Sequence, residues 1–394
     1  MKAFALSTEQ IAAIVGALVA DELGWRFRRH IDSFTIASLS PETALGEGGL
    51  QLDAEERRAS ARRAATFFGA DTDLLDVNAD RLSDWASTLQ QQISERLVEF
   101  FFVAAGRDSE IGVTRHPADA IFADAAAAAN LVYGRRRIIS LVAPHGLLGF
   151  VLTVLTPNLQ QIPRIDARGR APEEIAELLA FGDALIATPS VWRFLINEGL
   201  SAPDNTMGLY FGEKMPADLA AAMRKAGFGA QREIYGSTET GLIGWRDSPG
   251  EPFRLFDGVT REDDDFRRQD PAGGDRTIAS MDIIKWESPR SFRLGGRRDG
   301  ALQIGGVNVF PEKIAAAVAA HERIDTCWVS VTGQTDGMAQ LVAHIVLTNG
   351  QTPDERLARA VDQFCRETLR PHERPRIYRY EREAPTSATD AGAR

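Results

Sequence analysis

The chain has 394 residues, 44% of them hydrophobic and 25% charged, a balance that excludes a disordered, collagen-like or disulfide-scaffold protein. Acidic residues number 55 against 45 basic ones, for a net charge of -10, which argues against a nucleic-acid groove or an anionic membrane surface and favours a small-molecule partner. Cys327 and Cys365 are its two cysteines; with no Cys/His set at metal-ligand spacing they support neither a disulfide framework nor a zinc site, and they fit a cytoplasmic chain with no membrane span.

Residues 8 to 100 read as a helical leader. Ser7-Thr8 caps the run EQIAAIVGALV, expected to be a soluble amphipathic helix because Glu9, Asp21 and Glu22 interrupt it, and Ser40-Pro41-Glu42-Thr43 gives a second capping signal before the glycine-rich GEGG. The run FFFVAA has strand character, GRDSEIGVTRHP reads as a loop, and PADAIFADAAAAANLV is a strong helix former. Short apolar runs then alternate with helices through IISLVA, LLGFVLTVL, QQIPRID, APEEIAELLAFG, DALIATP, VWRFLINEG, MGLYFG, PADLAAAMRKAG and QREIYGSTET. Such alternation predicts an α/β domain with largely parallel strands and ligands at the strand ends. The stretch from Ser248 to Arg276 is rich in Asp, Arg, Gly and Pro, and its EDDD run is expected to be a solvated loop rather than a metal site. Beyond Gly296 a smaller α+β unit follows, with strand LQIGGVNVF, helix PEKIAAAVAAHE, strands TCWVSVTG and AQLVAHIVLT, helix PDERLARAVDQFCRETL and a polar tail. The expected boundaries are 1–95 for the leader, 96–296 for the core and 297–394 for the small domain.

The most specific string is IYGSTETG, Ile234 to Gly241. Gly236 permits close backbone approach, Ser237 and Thr238 offer hydroxyls to anionic oxygens, Tyr235 offers a flat face to a heterocycle, and Glu239 offers a carboxylate to a divalent cation. Alone, the string is equally consistent with a polar turn. A second string, FRLGGRRDGALQIGGVNVFPEKI, runs from Phe292 to Ile314.

With both strings in view, the chain resembles the superfamily of AMP-forming acyl-CoA synthetases, peptide-synthetase adenylation domains and aryl-acid ligases. That family has Y-G-x-T-E, then T-G-D, then G-R-x-D, then K-I-x-G-x-x-V-x-P-x-E-I. The matching stretches are Tyr235-Gly236-Ser237-Thr238-Glu239, Ser280-Met281-Asp282, Gly296-Arg297-Arg298-Asp299, and Gln303 to Ile314, within which GVNVFP is similar to the phenylacetate-CoA ligase branch. Weaker likeness extends through Val142 to Phe150, Thr188-Pro189-Ser190 and Phe211-Gly212-Glu213-Lys214-Met215-Pro216.

The resemblance implies an adenylate-forming fold: a large α/β core, a small mobile α+β C-terminal domain and a helical leader. It implies ATP and Mg2+, with a carboxylic acid, aromatic by the GVNVFP likeness, attacking the α-phosphorus and a thiol of CoA or of a carrier-protein phosphopantetheine capturing the adenylate. Carried over by position, Glu239 would hold magnesium, Thr238 would touch the α-phosphate, and Tyr235 with Gly212 and Glu213 would border the adenine. Asp282 would accept from the ribose hydroxyls, Arg297 would assist at ribose and phosphate, Asp299 would be the hinge, and Gly305-Gly306 would line the pantetheine path. His145 would either position the substrate carboxylate or cap a turn, and both readings stay open.

Three departures stand out. The family's phosphate loop, T-S-G-S-T-G-x-P-K, is replaced by Ala104 to Arg115, and no lysine occurs between Lys2 and Lys214, which leaves Arg107 or Arg115 to compensate. The family's terminal P-x-x-x-x-G-K matches Pro385 to Ala391, with Ala391 at the lysine position. In the leader, Leu45 to Ala54 faintly resembles a carrier-protein attachment site with Ala54 in place of the serine; a helical cap is the plainer reading. Besides the ligase, the sequence therefore admits a degenerate relative that binds an acyl group or nucleotide, and a chain that performs only the acyl-transfer half-reaction.

Overall fold

The structure, a computed structural model, describes residues 5–105, 111–269, 271, 273–298, 302–304, 307–332, 340–348, 352–369 and 373–383. Two units make up the chain: residues 1–280 with 284–293, and residues 281–283 with 294–394. The leader expected over 1–95 falls within the first of these, and the division itself falls in the hairpin Asp282–Arg297 rather than after Gly296.

The first helix spans Thr8–Arg26. Its cap is reciprocal: the Gln10 N–H donates to the Ser7 hydroxyl at 3.2 Å and the Ser7 N–H donates to the Gln10 side chain at 2.9 Å. Ile11, Ile14, Val15, Leu18, Val19 and Leu23 are buried together with the intervening alanines, so this helix is enclosed on most sides instead of amphipathic. Ser40 to Thr43 begins no helix; the Thr43 N–H closes a turn on the Ser40 carbonyl at 3.0 Å. The carrier-like stretch ends where Asp53 caps helix Ala54–Phe67, accepting from the Glu55 and Glu56 N–H groups at 2.8 and 2.9 Å. Helix Leu82–Arg96 completes the leader.

Strand Glu99–Ala105 pairs antiparallel with Ile111–Pro117, so the segment expected as a loop up to Pro117 is a strand from Ile111 onward. Residues 106–110, with Arg107 among them, lie outside the described residues. Phe100 and Phe102 anchor the hairpin against Phe67 and Phe150, with centroids 5.2 Å apart for Phe67–Phe102 and 5.0 Å for Phe100–Phe150.

The central sheet carries parallel strands in the order Arg164–Asp166, Ile138–Ser140, Ala184–Ala187, Met207–Phe211 and Ala230–Ser237, as the alternation predicts. It continues antiparallel through Gly241–Arg246 and Phe253–Leu255, against which Ser291 and Phe292 pair. On one face Trp192, Tyr210, Met223 and Phe228 fill the space beneath helices Pro189–Asn197 and Ala217–Lys225. The segment expected as a solvated loop instead folds as a three-stranded antiparallel sheet, Val259–Glu262, Asp265–Gln269 and Asp275–Ile278. Its signal is the alternation that buries Phe266 and Arg268 while exposing Arg267, with EDDD at the turn and Asp263 at φ 50°.

In the second unit, Leu302–Ile304 and Val307–Val309 form a hairpin, and strands Ile324–Thr332, Gln340–Leu347 and Ile377–Glu381 form a sheet under helices Pro311–Ala319 and Glu355–Thr368. Ile314, Val318, Ala343, Ile345, Leu357 and Val361 are its core. The tail read as polar includes the parallel edge strand Ile377–Glu381, whose Tyr378 and Tyr380 pack on that core. Both cysteines are free. Among the described residues no helix is long and apolar enough to cross a membrane.

Candidate active site

The structure brings several expected residues to the carboxyl ends of neighbouring parallel strands. Tyr235, Gly236 and Ser237 end the strand Ala230–Ser237; Gly212 and Glu213 follow Met207–Phe211, whose Phe211 pairs with Ile234; and His145 lies in the loop after Ile138–Ser140. Ligands of open α/β sheets bind at this edge.

Thr238, Glu239 and Thr240 form a tight turn between the strand ends, with Ser237 opposite Gly241. The Ser237 N–H donates to the Thr240 hydroxyl at 2.9 Å, and the Glu239 and Thr240 N–H groups donate to the Ser237 hydroxyl at 3.2 and 3.3 Å. A Cβ on Gly236 would lie 2.3 Å from the Gly241 carbonyl oxygen, so only glycine permits this closure. Glu239 is exposed, and among the described residues its carboxylate has no hydrogen bond or ion pair. Tyr235 stacks into a cluster with Phe253 and Phe292, both at 5.5 Å, and its hydroxyl lies 3.0 Å from that of Ser280.

Three residues that the sequence reading missed hold this turn from behind. His116, buried at the end of the hairpin, has Nε2 2.7 Å from the Thr238 carbonyl oxygen. A carbonyl only accepts, so Nε2 carries the proton. Asp124, on helix Ala118–Leu131, accepts from the Leu242 N–H at 2.9 Å and pairs with Arg268. Arg268 in turn donates to the carbonyls of Thr240, at 3.2 Å, and Leu242. Burial pushes the Asp124 carboxyl up, and the Arg268 guanidinium opposes that shift. The available signals were a carboxylate set among alanines in Asp119–Ala129 and an arginine in phase with Phe266.

The remaining expected residues divide by location. Gly212 has φ 88° with open space around it. Glu213 accepts from the Ser190 hydroxyl at 2.6 Å through Oε2, while its buried Oε1 has no partner among the described residues; burial raises its carboxyl, against the Ser190 hydrogen bond. His145 caps no helix: Gly146 is the cap residue of the following turn and offers no side chain. Its Nε2 faces Asp21 at 3.9 Å, and its buried Nδ1 has no partner among the described residues. Arg115 is 68% exposed and pairs with Glu99 at 3.4 Å. Asp282 and Arg297 belong to the second unit, at the same end of one hairpin, where the Arg298 N–H donates to the Met281 carbonyl at 2.7 Å. Asp299, Gly305, Gly306 and Ala391 lie outside the described residues. Among the described residues no group of three or more His, Cys, Asp or Glu could hold a metal ion.

Burial lowers both His116 and His145 from 6.5 to about 4. Between those values the unfolded chain takes up protons that the folded chain refuses. Stability from these groups is therefore complete above pH 6.5 and falls as pH drops toward 4, by about 3 kcal/mol for each histidine. Urea unfolding at pH 7, 5 and 4 should show this slope, and His116→Gln should flatten it; an unchanged slope contradicts the neutral, buried assignment.

No protein-family model matches the chain. It is 28% identical to a 4-coumarate--CoA ligase of Halorhodospira halophila over 397 residues, covering 97% of this chain and 98% of that protein. The amide bond synthetase McbA from Marinactinospora thermotolerans superposes with a TM-score of 0.62 at 14% identity, covering 96% of this chain and 91% of that one. A variant of o-succinylbenzoate CoA synthetase from Bacillus subtilis gives a TM-score of 0.61 at 14% identity, covering 96% and 90%. Both structural likenesses establish the adenylate-forming fold.

Proposed function

We propose that this chain, similar over nearly its whole length to a 4-coumarate--CoA ligase and built on the adenylate-forming fold, is an AMP-forming acyl-CoA synthetase that activates an aryl carboxylic acid with ATP and passes the acyl group to the thiol of CoA. The observation that carries the reading is the clamped Thr238–Glu239 turn at the carboxyl ends of the parallel strands, which presents side by side a hydroxyl and a carboxylate unpaired among the described residues.

In the first step a carboxylate oxygen of the acid bonds to the α-phosphorus as the bond to pyrophosphate breaks. In the second the thiol sulfur bonds to the acyl carbon, its proton is lost, and AMP departs. Such chemistry depends on positioned donors more than on covalent help from the protein. Thr238 donates its hydroxyl to an α-phosphate oxygen, Gly212 and Tyr235 border the adenine, Asp282 accepts from the ribose, and Arg297 assists at ribose and phosphate. Glu239 suits magnesium, which is commonly held by one or two carboxylates together with phosphate oxygens and water. When bound, that ion neutralises charge on the departing pyrophosphate. His145, neutral and with Nδ1 unpaired among the described residues, orients the acid.

An aryl acid is favoured by the 4-coumarate--CoA ligase relative and by GVNVFP; a carrier-protein phosphopantetheine is the alternative acceptor. Incubating the protein with ATP, magnesium, CoA and a panel of aryl and fatty acids should yield AMP and an aryl-CoA thioester. Thioester formed only with fatty acids would reject the aryl assignment, and ADP in place of AMP would reject the mechanism. Ala391 at the family's lysine position supports a second reading, transfer from a preformed acyl-adenylate. It is distinguished by thioester formed from synthetic adenylate but not from acid and ATP.

A further inference from the structure

Strand Asp275–Ile278 runs antiparallel to Asp265–Gln269 with Arg276 directly opposite Arg268. Directly opposed residues leave the same face of a sheet with Cβ atoms about 5 Å apart, and like charges so placed repel. Arg268 is compensated by Asp124 and by the carbonyls of Thr240 and Leu242. Arg276 is not. The side chain is half-buried with its Nε enclosed, and among the described residues its guanidinium has no hydrogen bond or ion pair. Its charge nevertheless reaches His116 and Asp124, two of the groups that hold the Thr238–Glu239 turn.

An enclosed donor nitrogen without a partner is costly even on a half-buried side chain, and an anionic ligand at this face would supply that partner. Arg115 is turned to solvent and engaged by Glu99, and no lysine lies between Lys2 and Lys214. The turn beside Arg276 offers the hydroxyls of Ser237 and Thr238, donors suited to phosphate oxygens, and a guanidinium fork grips phosphate through two parallel hydrogen bonds.

We propose that Arg276 binds the phosphates of the nucleotide, supplying from a neighbouring sheet a cation in place of the lysine that the family's phosphate loop carries and this sequence lacks. The assignment rests on the AMP-forming reading above. It differs from the sequence expectation, which looked for the replacement at Arg107 or Arg115.

The test is calorimetric titration of wild type, Arg276→Gln and Arg276→Lys with ATP, tripolyphosphate, adenosine and 4-coumarate, alongside ligand-free melting. Arg276→Gln should weaken ATP and tripolyphosphate about 10- to 100-fold, leave adenosine and 4-coumarate unchanged, and not lower the melting temperature. Arg276→Lys should recover part of the phosphate affinity. Unchanged ATP and tripolyphosphate binding in Arg276→Gln overturns the proposal, and a loss confined to 4-coumarate overturns it in favour of a carboxylate contact. A wild type that binds neither ATP nor tripolyphosphate overturns both this assignment and the ligase reading. Arg276-dependent ATP binding without acid-dependent AMP formation upholds the assignment and rejects the ligase.

Discussion

Replacing Asp124 by alanine is expected to destabilise the first unit by about 3–5 kcal/mol, the range for breaking a buried ion pair on one side. The carboxylate is 4% exposed and serves two partners, the Leu242 N–H and the Arg268 guanidinium. Its loss leaves a backbone donor and a cation buried together, and the Thr240 and Leu242 carbonyls then rely on an arginine that nothing restrains. Asp124→Asn keeps an acceptor for Leu242 and should cost less. The double variant Asp124→Leu/Arg268→Met removes both charges and should recover much of the loss, because the penalty lies in the unpaired ion rather than in the missing attraction. Urea unfolding of the four proteins measures these differences. A single-variant cost below about 1 kcal/mol, typical of an exposed pair, contradicts the clamp.

Turnover should respond most at Glu239. The carboxylate is exposed and unpaired among the described residues, so Glu239→Gln should leave stability within about 0.5 kcal/mol of wild type. On the proposed reading the same change removes the charge that would hold the divalent cation, whose neutralisation of developing phosphate charge would amount to several kcal/mol. Acid-dependent AMP formation should fall on the order of 10³-fold. Steady-state kinetics beside a melting curve separates the outcomes: lost turnover with an unchanged melt supports the assignment, and unchanged turnover removes Glu239 from the metal site.

The parallel sheet was legible because most of its strands are short apolar runs that alternate with helices along the chain, a pattern confined to neighbouring residues. The turn at Thr238 was legible for the same reason, being written in consecutive residues. Its supports were not: His116 meets Thr238 across 122 positions and Arg268 meets Asp124 across 144. No local periodicity reports such pairings. Arginines on both faces of Asp265–Gln269 disguised a strand as a solvated loop, since a buried arginine paired with a distant aspartate looks in sequence like a surface one. The first helix was misjudged for a related reason. Glu22 suggested a solvent face, yet it is buried beside Arg26, at 3.9 Å, with its carboxyl pushed up by burial. The edge strand Ile377–Glu381 carries its core-facing tyrosines between arginines, a faint alternation at the border of a polar tail.

Whether this chain forms an acyl-adenylate at all, with Ala391 at the family's lysine position and no lysine in its phosphate loop, is measured most directly by ATP–pyrophosphate exchange with labelled pyrophosphate. With magnesium and 4-coumarate present and CoA omitted, label should enter ATP, and it should fail to do so when the acid is left out. Absence of acid-dependent exchange, from protein that binds ATP and converts a supplied coumaroyl-adenylate to its thioester, would contradict adenylation and leave the acyl-transfer half-reaction as this chain's chemistry.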